Sequence, residues 1–237
     1  MQNAILITGA GRRIGHALAL HLRAQGHAVI GHYHHDNPDL VSLRQAGITL
    51  IQADFTDEQG VRALLREIQA TTTSLRAIVH NASAFALTAT GTVEALQQAD
   101  LFYQVHVRSP YLISRELTPL LQACTAPHAD IVHITDIYAD KPNPRFDVYC
   151  ASKAAAQNLA LSFARSLAPK VKVNVIQPGP ILFKDWHSEA MKEQVLRETL
   201  LGVEGGSEPI CLAVSALLAN PYQTGAVIAV DGGRRLG

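Results

Sequence analysis

Tyr149 and Lys153 stand four residues apart in Tyr149-Cys150-Ala151-Ser152-Lys153, within a stretch of helical period. At that spacing two side chains share one face of a helix and project into the same space. A phenol with a reference pKa of about 10 is a poor proton donor or acceptor near neutrality, and a nearby ammonium favours its ionised form. The pair is therefore expected to act in acid/base chemistry, with Lys153 lowering the pKa of Tyr149. On an exposed helix the same two residues would be ordinary surface, so the weight falls on what surrounds them.

A second stretch with chemical meaning is Thr8-Gly9-Ala10-Gly11-Arg12-Arg13-Ile14-Gly15, which follows an apolar run and leads into a helical pattern. A glycine-rich turn between strand and helix is the context of a dinucleotide-binding loop. Gly9 permits the tight turn, Gly15 permits close helix–strand packing, and the helix start offers free N–H groups to a pyrophosphate. An acid at the end of the second strand usually reads a free ribose 2′-hydroxyl. Gly31-His32-Tyr33-His34 carries none, Asp36 being the first, while Arg12 and Arg13 add two cations nearby. A guanidinium fork suits a phosphate, so NADPH is expected rather than NADH. Gly9, Arg12, Arg13, Ile14, Tyr33 and His34 are the residues expected to meet it.

These groups need a scaffold. Short apolar, β-branched runs at residues 4–7, 28–32, 49–53, 77–80, 130–135, 171–176 and 226–230 read as strands buried on both faces of a parallel sheet. Between them, Ile14, Ala17, Leu18, His21 and Leu22 trace one helix face. Val61, Leu64, Leu65 and Ile68 trace another, opened by Thr56-Asp57-Glu58 as a cap. Further helices fit residues 93–122, 147–167, 189–201 and 208–218. The alternation predicts an α/β fold: a single-domain Rossmann fold over residues 1–237, its doubly wound seven-stranded parallel sheet carrying helices on both faces.

The chain has 237 residues, is 48% hydrophobic and carries no formal net charge. It can bury a sizeable core, and gives no electrostatic reason to expect nucleic acid or an anionic membrane as partner. No apolar run reaches transmembrane length, and the first residues lack the basic and apolar regions of a signal peptide. Cys124, Cys150 and Cys211 match no metal spacing and read as reduced thiols of a cytoplasmic protein. His32-Tyr33-His34-His35 is not expected to bind a metal, because neighbours along an extended chain point to opposite faces.

Tyr149-x-x-x-Lys153, Asn81-Ala82-Ser83, Asp54-Phe55, Pro178-Gly179 and Thr224-Gly225 with Val230-Asp231-Gly232-Gly233 fall in one order along the chain. Together they resemble the motifs of the short-chain dehydrogenase/reductase family over essentially its whole length. The resemblance implies that Asp54 and Phe55 border the adenine, and that Asn81, Ala82, Ser83, Pro178 and Gly179 line the cofactor. It also makes Tyr149 catalytic and gives Lys153 the nicotinamide ribose.

Three departures sharpen the resemblance. Asp136 replaces the usual serine, and an ionised carboxylate is acceptor-only and opposes a developing oxyanion. His106 stands where an asparagine usually anchors a relay water, and could relay protons or merely fill space. Arg13 stands where many relatives have a second glycine. With Ser83 for glycine, these features are similar to the pteridine reductase branch. That branch implies NADPH-dependent reduction of a 7,8-dihydropterin, dihydromonapterin or also dihydrofolate, across its C6=N5 bond.

Phe85 would then stack on the pterin and Asp136 would accept from its amino-pyrimidine edge. The N5 proton would come from Tyr149 or from a water between it and Asp136. Residues 140–147 and 182–206 would border the substrate, and the assembly would be a homotetramer. Carbonyl reduction of a 3-oxoacyl thioester or small ketone, and a non-catalytic NADPH sensor, are the alternatives.

Overall fold

Ala4, Ile5, Leu6 and Ile7 alternate between the two faces of a strand, yet all four are fully buried, so a layer of structure must cover each face. The computed structural model, described over residues 1–183 and 187–237, supplies both layers. Its parallel strands are β1 (Ala4–Ile7), β2 (Val29–Tyr33), β3 (Thr49–Gln52), β4 (Leu75–His80), β5 (Ala129–Ile134), β6 (Val171–Pro178) and β7 (Val227–Val230). They form one seven-stranded sheet in the order β3-β2-β1-β4-β5-β6-β7. On one face Ile5, Ile7 and Val79 pack against Leu18 of α1 (Arg13–Ala24), Leu40 of α2 (Leu40–Gln45) and Val214 of α8 (Glu208–Ala219). On the other, Leu6, Ile78 and Ile131 meet α3 (Glu58–Thr71), α5 (Ser109–Gln122) and α6 (Asp147–Ser166). Strand order reverses between β1 and β4, and a crevice at such a reversal is the usual place for a ligand.

Local chemistry explains most boundaries. Asp57 caps α3 by accepting from the N–H groups of Gln59 and Gly60, as its sequence context predicts. The expected helix over 93–122 is instead α4 (Thr92–Tyr103) and α5, joined by a π-helical turn at Gln104–Arg108. Pro110 has no N–H to return to the carbonyl four residues back, and the wider turn relieves that clash. Helix α7 (Glu189–Arg197) ends before the expected Leu201, where Gly202 takes a positive φ of 64° in a turn closed onto Thr199. Helix α2 was not expected, because six residues are too few to display a period. No helix among the described residues is long and apolar enough to cross a membrane.

At the far end of the sheet from the crevice, three neighbouring strands share a charge cluster. Fully buried Asp130 of β5 lies between Arg76 of β4, which donates to it, and Lys172 of β6, whose Nζ is 2.9 Å away. Both cations also donate to the carbonyl end of α8: Arg76 to Leu218, and Lys172 to Leu217 and, just beyond, Asn220. Asp130→Ala would strand two cations without a counter-ion and is expected to cost about 3–5 kcal/mol in urea unfolding. Its NADPH affinity should be near wild type; an unchanged urea midpoint would show that the carboxylate contributes nothing to the fold.

Candidate active site

The loop after β1 is built around a base of hydrogen bonds. Thr8 Oγ1 accepts from the N–H groups of Asn81 and Ala82, both at 3.0 Å, and the Asn81 amide donates to the carbonyls of Thr8 and Gly9. Gly9 has φ +68°, and a Cβ there would lie 2.8 Å from Ala82 Cα. At Gly15 a Cβ would sit 2.1 Å from Gly9 O and 2.6 Å from Asn81 Nδ2. Gly15 thus makes room for the loop's own carbonyl and its Asn81 clamp, which refines the expectation of packing on the strand. Arg12 precedes α1 in extended conformation; the helix has no side-chain cap and no acid in its first turn. An open helix start beside a cradle that admits no Cβ fits a dinucleotide pyrophosphate.

His32, which falls at the end of the strand expected over 28–32, holds this loop. Its Nδ1 accepts from Gly9 N–H at 3.1 Å, and its Nε2 donates to Ala53 O at 3.0 Å. The ring stacks on Phe55 at 4.0 Å, and burial lowers its pKa from 6.5 to about 4. Outside it, His34 stacks on His35 and lies 3.5 Å from Asp54. Tyr33 lines the loop, its Cβ 3.1 Å from a Cβ placed at Gly11, and Ile14, in the first turn of α1, packs partly buried against the core. Arg13 adopts φ +55°, and its guanidinium donates to the carbonyls of Leu182 (2.5 Å) and Phe183 (3.3 Å). It is thereby tied to the segment after β6; Arg12, exposed as Arg13 is, makes no such tie among the described residues. Gly179 N–H bonds Val230 O, and a Cβ at Gly179 would meet Asp231 Cα at 2.6 Å, so Pro178-Gly179 lies flush against the end of β7.

The acid/base unit differs from expectation in its electrostatics. Tyr149, near the start of α6, donates its hydroxyl to Asp136 Oδ2 at 2.8 Å. Asp136 follows β5 directly, and its other oxygen caps Tyr138 N–H at 3.0 Å. Lys153 Nζ donates to Ile134 O at 3.3 Å and lies 5.6 Å from the Tyr149 ring centre. Burial, followed by the adjoining carboxylate, pushes the Tyr149 phenol well above 10. The expected lowering by Lys153 is therefore corrected: the carboxylate, not the ammonium, sits at the phenol oxygen. Burial also raises Asp136 and lowers Lys153 to about 8. The Tyr149–Asp136 bond is direct. The unit is a neutral phenol donor whose proton is already shared with an acid, beside a cation that can balance charge.

Above Tyr149 stands an aromatic wall. Phe85 meets Tyr149 edge-on at 4.9 Å and Phe146 at 5.4 Å, and Tyr138 meets Phe146 at 4.8 Å. Phe146 and Tyr138 were missed as site residues, although Phe146 falls in the 140–147 segment expected to border a substrate. Of the 182–206 segment, residues 184–186 lie outside the described residues. His106, in the π turn, uses both nitrogens. Ser152 donates to Tyr149 O at 2.7 Å, so His106 Nδ1 donates to Ser152 at 2.8 Å. Its Nε2 then accepts from Ala84 N–H and the Ser83 hydroxyl. Burial holds its pKa well below 6.5. His106 neither fills space nor is free to relay; it fastens the Ser83–Ala84 loop to α6.

A family model described as enoyl-(acyl carrier protein) reductase matches residues 9–235. The chain is 40% identical over 235 residues to the dihydromonapterin reductase of Enterobacter sp. (strain 638), covering 99% of this chain and 98% of that protein. It is 42% identical over 232 residues to the dihydromonapterin reductase of Citrobacter koseri, covering 98% and 96%. Among solved structures, FolM alternative dihydrofolate reductase 1 from Brucella canis, complexed with NADP, matches with a TM-score of 0.89 at 27% identity, over 99% of this chain and 95% of that one.

The loop clamp is testable through pH. Because the folded pKa of His32 is depressed, the unfolded chain takes up a proton below 6.5 that the folded chain refuses until about 4. Stability from this ring is present above 6.5 and lost as pH falls toward 4, by about 2 kcal/mol between pH 7 and 5. The difference in unfolding free energy between the two pH values, from urea titrations, should therefore shrink by about that amount in His32→Gln. Equal acid loss in variant and wild type would remove His32 from this role.

Proposed function

We propose, for a chain that belongs to the short-chain dehydrogenase/reductase family, that it reduces 7,8-dihydropterins to their tetrahydro forms with NADPH, dihydromonapterin and dihydrofolate among them. The observation that carries the reading is the 2.8 Å bond from Tyr149 to Asp136. A ketone reduced here would develop negative charge against an acceptor-only group. An imine does not: its reduction needs hydride at carbon and a proton at nitrogen, with no alkoxide to stabilise.

NADPH supplies the hydride when bound. This chain's residues do the rest. The start of α1 with Gly9, Ile14 and Arg12 holds the phosphates, Asp54 and Phe55 border the adenine, and Tyr33 and His34 flank the ribose. Asn81, Ala82, Ser83, Pro178 and Gly179 shape the nicotinamide side, with Lys153 on its ribose. The pterin lies against Phe85, a contact worth about 0.5–1.5 kcal/mol beyond its area. Asp136 accepts from the amino-pyrimidine edge, and Tyr149 delivers its proton to N5 while Lys153 balances the charge left behind.

Apolar side chains exposed on α4 and α5 (Val93, Leu96, Tyr103, Tyr111) and near α8 and β7 (Leu212, Tyr222) support two self-association faces, and so a homotetramer. The buried free thiols Cys124, Cys150 and Cys211 support a cytoplasmic location.

Two experiments check this reading. In steady-state assays with dihydromonapterin, dihydrofolate and a ketone panel, wild type should oxidise NADPH with the dihydropterins. Tyr149→Phe should lose about two to four orders of magnitude in turnover while still binding NADPH. Asp136→Ser should impair dihydropterin turnover and Phe85→Ala should raise KM. Brisk ketone reduction without dihydropterin turnover would sink the proposal.

Second, Arg12→Ala should weaken NADPH by about 10- to 100-fold with little change for NADH. Arg13→Ala, which frees Leu182 and Phe183, should also raise the dihydropterin KM. If both variants keep wild-type NADPH/NADH discrimination, neither arginine reads the 2′-phosphate.

A further inference from the structure

His80 of β4 and His133 of β5 are register partners on adjacent parallel strands, so their rings leave the sheet on the same face. The ring centres are 4.6 Å apart, and both side chains are buried. His80 Nε2 bonds Ser114 Oγ at 2.9 Å. The remaining nitrogen of that ring, Nδ1, and Nε2 of His133 are buried without a hydrogen-bond partner among the described residues. Buried side-chain nitrogens are seldom left so, and two side by side call for an occupant between them.

Both rings line one small pocket together with Lys153, His106, Ala82 and Thr135. It has about 10 Å³ open to the centre of a water, room for a single molecule. Lys153 spends one of its three N–H bonds on Ile134 O. His106 has both nitrogens engaged, and Thr135 Oγ1 is turned to Ile176 O. We propose that the pocket is an internal water site: one water accepts from Lys153 Nζ and donates to His80 Nδ1 and His133 Nε2. The two histidines thereby become positioning residues for Lys153.

The bonding balances, because a water has two hydrogens for two imidazole lone pairs and a lone pair for the ammonium, and the neutral His133 ring carries its proton on Nδ1. His80 then donates from Nε2 to Ser114. Burial keeps both rings neutral, with His133 lowered to about 3 and His80 well below 6.5, so neither adds a positive charge beside Lys153. A metal ion fits poorly next to that ammonium, and no group of three or more metal-ligating side chains is assembled among the described residues.

The groups facing Lys153 are Asp136 after β5, Tyr149 on its own helix, His106 from the π turn, and His133 and His80 from the sheet; Arg234 acts on Asp136 from the C-terminal turn. Burial already brings Lys153 down to about 8. A water backed by two acceptors solvates the ammonium, so losing it favours the neutral amine and moves the titration further down.

Only the consequence for turnover rests on the function proposed above; the water site itself is read without substrate. Lys153 is titrated through its ¹³Cε shift in the cofactor-free protein. His80→Leu and His133→Leu should each lower the midpoint by about one pH unit, and His133→Gln, which keeps an acceptor, should stay near wild type. An unmoved or raised midpoint in the leucine variants overturns the proposal. A high-resolution crystal structure of the wild type, which needs no variant to fold, should show one water within hydrogen-bonding distance of the three nitrogens. A dry pocket overturns it equally. A shifted midpoint in a protein without dihydropterin turnover would sink the proposed function and leave the water site standing.

Discussion

The side-chain amide of Asn81 spans the gap where the sheet reverses its strand order, and the site depends on that span. Its two donated bonds fix the carbonyls of Thr8 and Gly9, while Thr8 returns the favour through its hydroxyl to the backbone of Asn81 and Ala82. The loops after β1 and β4 therefore move as one body. The first carries the open start of α1, and the second continues into Ser83, Ala84 and Phe85. His32 extends the same body to the end of β2. In the function proposed above, the cofactor's phosphates and the substrate's flat ring would thus be placed by a single rigid piece rather than by two loops that must find each other.

Upon that frame the chemistry is set by burial more than by neighbouring charge. Tyr149, Asp136 and Lys153 form a row in which each group resists ionisation: the phenol is pushed up, the carboxyl is pushed up, and the ammonium is pushed down. The phenol keeps its proton until a basic atom arrives, and the lysine, brought down to about 8, can exchange one, which suits proton delivery to an imine nitrogen. The row suits the stabilisation of an alkoxide poorly. In the proposed function, the exchange of one side chain after β5 therefore changes the kind of bond the site reduces while leaving the scaffold intact.

Much of this was legible in the residues. The strand cores follow from consecutive apolar positions, the Asp57 cap from its spacing, and the loop after β1 from glycines set between strand and helix. What stayed hidden depends on through-space neighbours. The acidity of Tyr149 was misjudged because spacing on α6 puts Lys153 on the same face but says nothing of a carboxylate arriving from β5. The role of His32 stayed hidden because its partners, Gly9 N–H and Ala53 O, come from two other segments. Arg13 reads in the residues as a phosphate ligand, and its tie to Leu182 and Phe183 was hidden because it spans most of the chain. Phe146 and Tyr138 carry no spacing signal at all, since they become a wall only beside Phe85.

The π turn at Gln104–Arg108 sets the phase of everything that follows it on the same continuous helix. An α-helix advances about 100° per residue, so excising one residue to restore regular winding would turn α5 by about that angle. Ile113, Leu117 and Leu121 would rotate out of the core, and Ser114 would leave His80. Alternatively α5 would keep its place and His106 would swing away from Ser83 and Ser152. Length in this turn is therefore a conserved quantity of the architecture: substitutions can be absorbed there one at a time, whereas an insertion or deletion forces a choice between the hydrophobic core and the active-site loop.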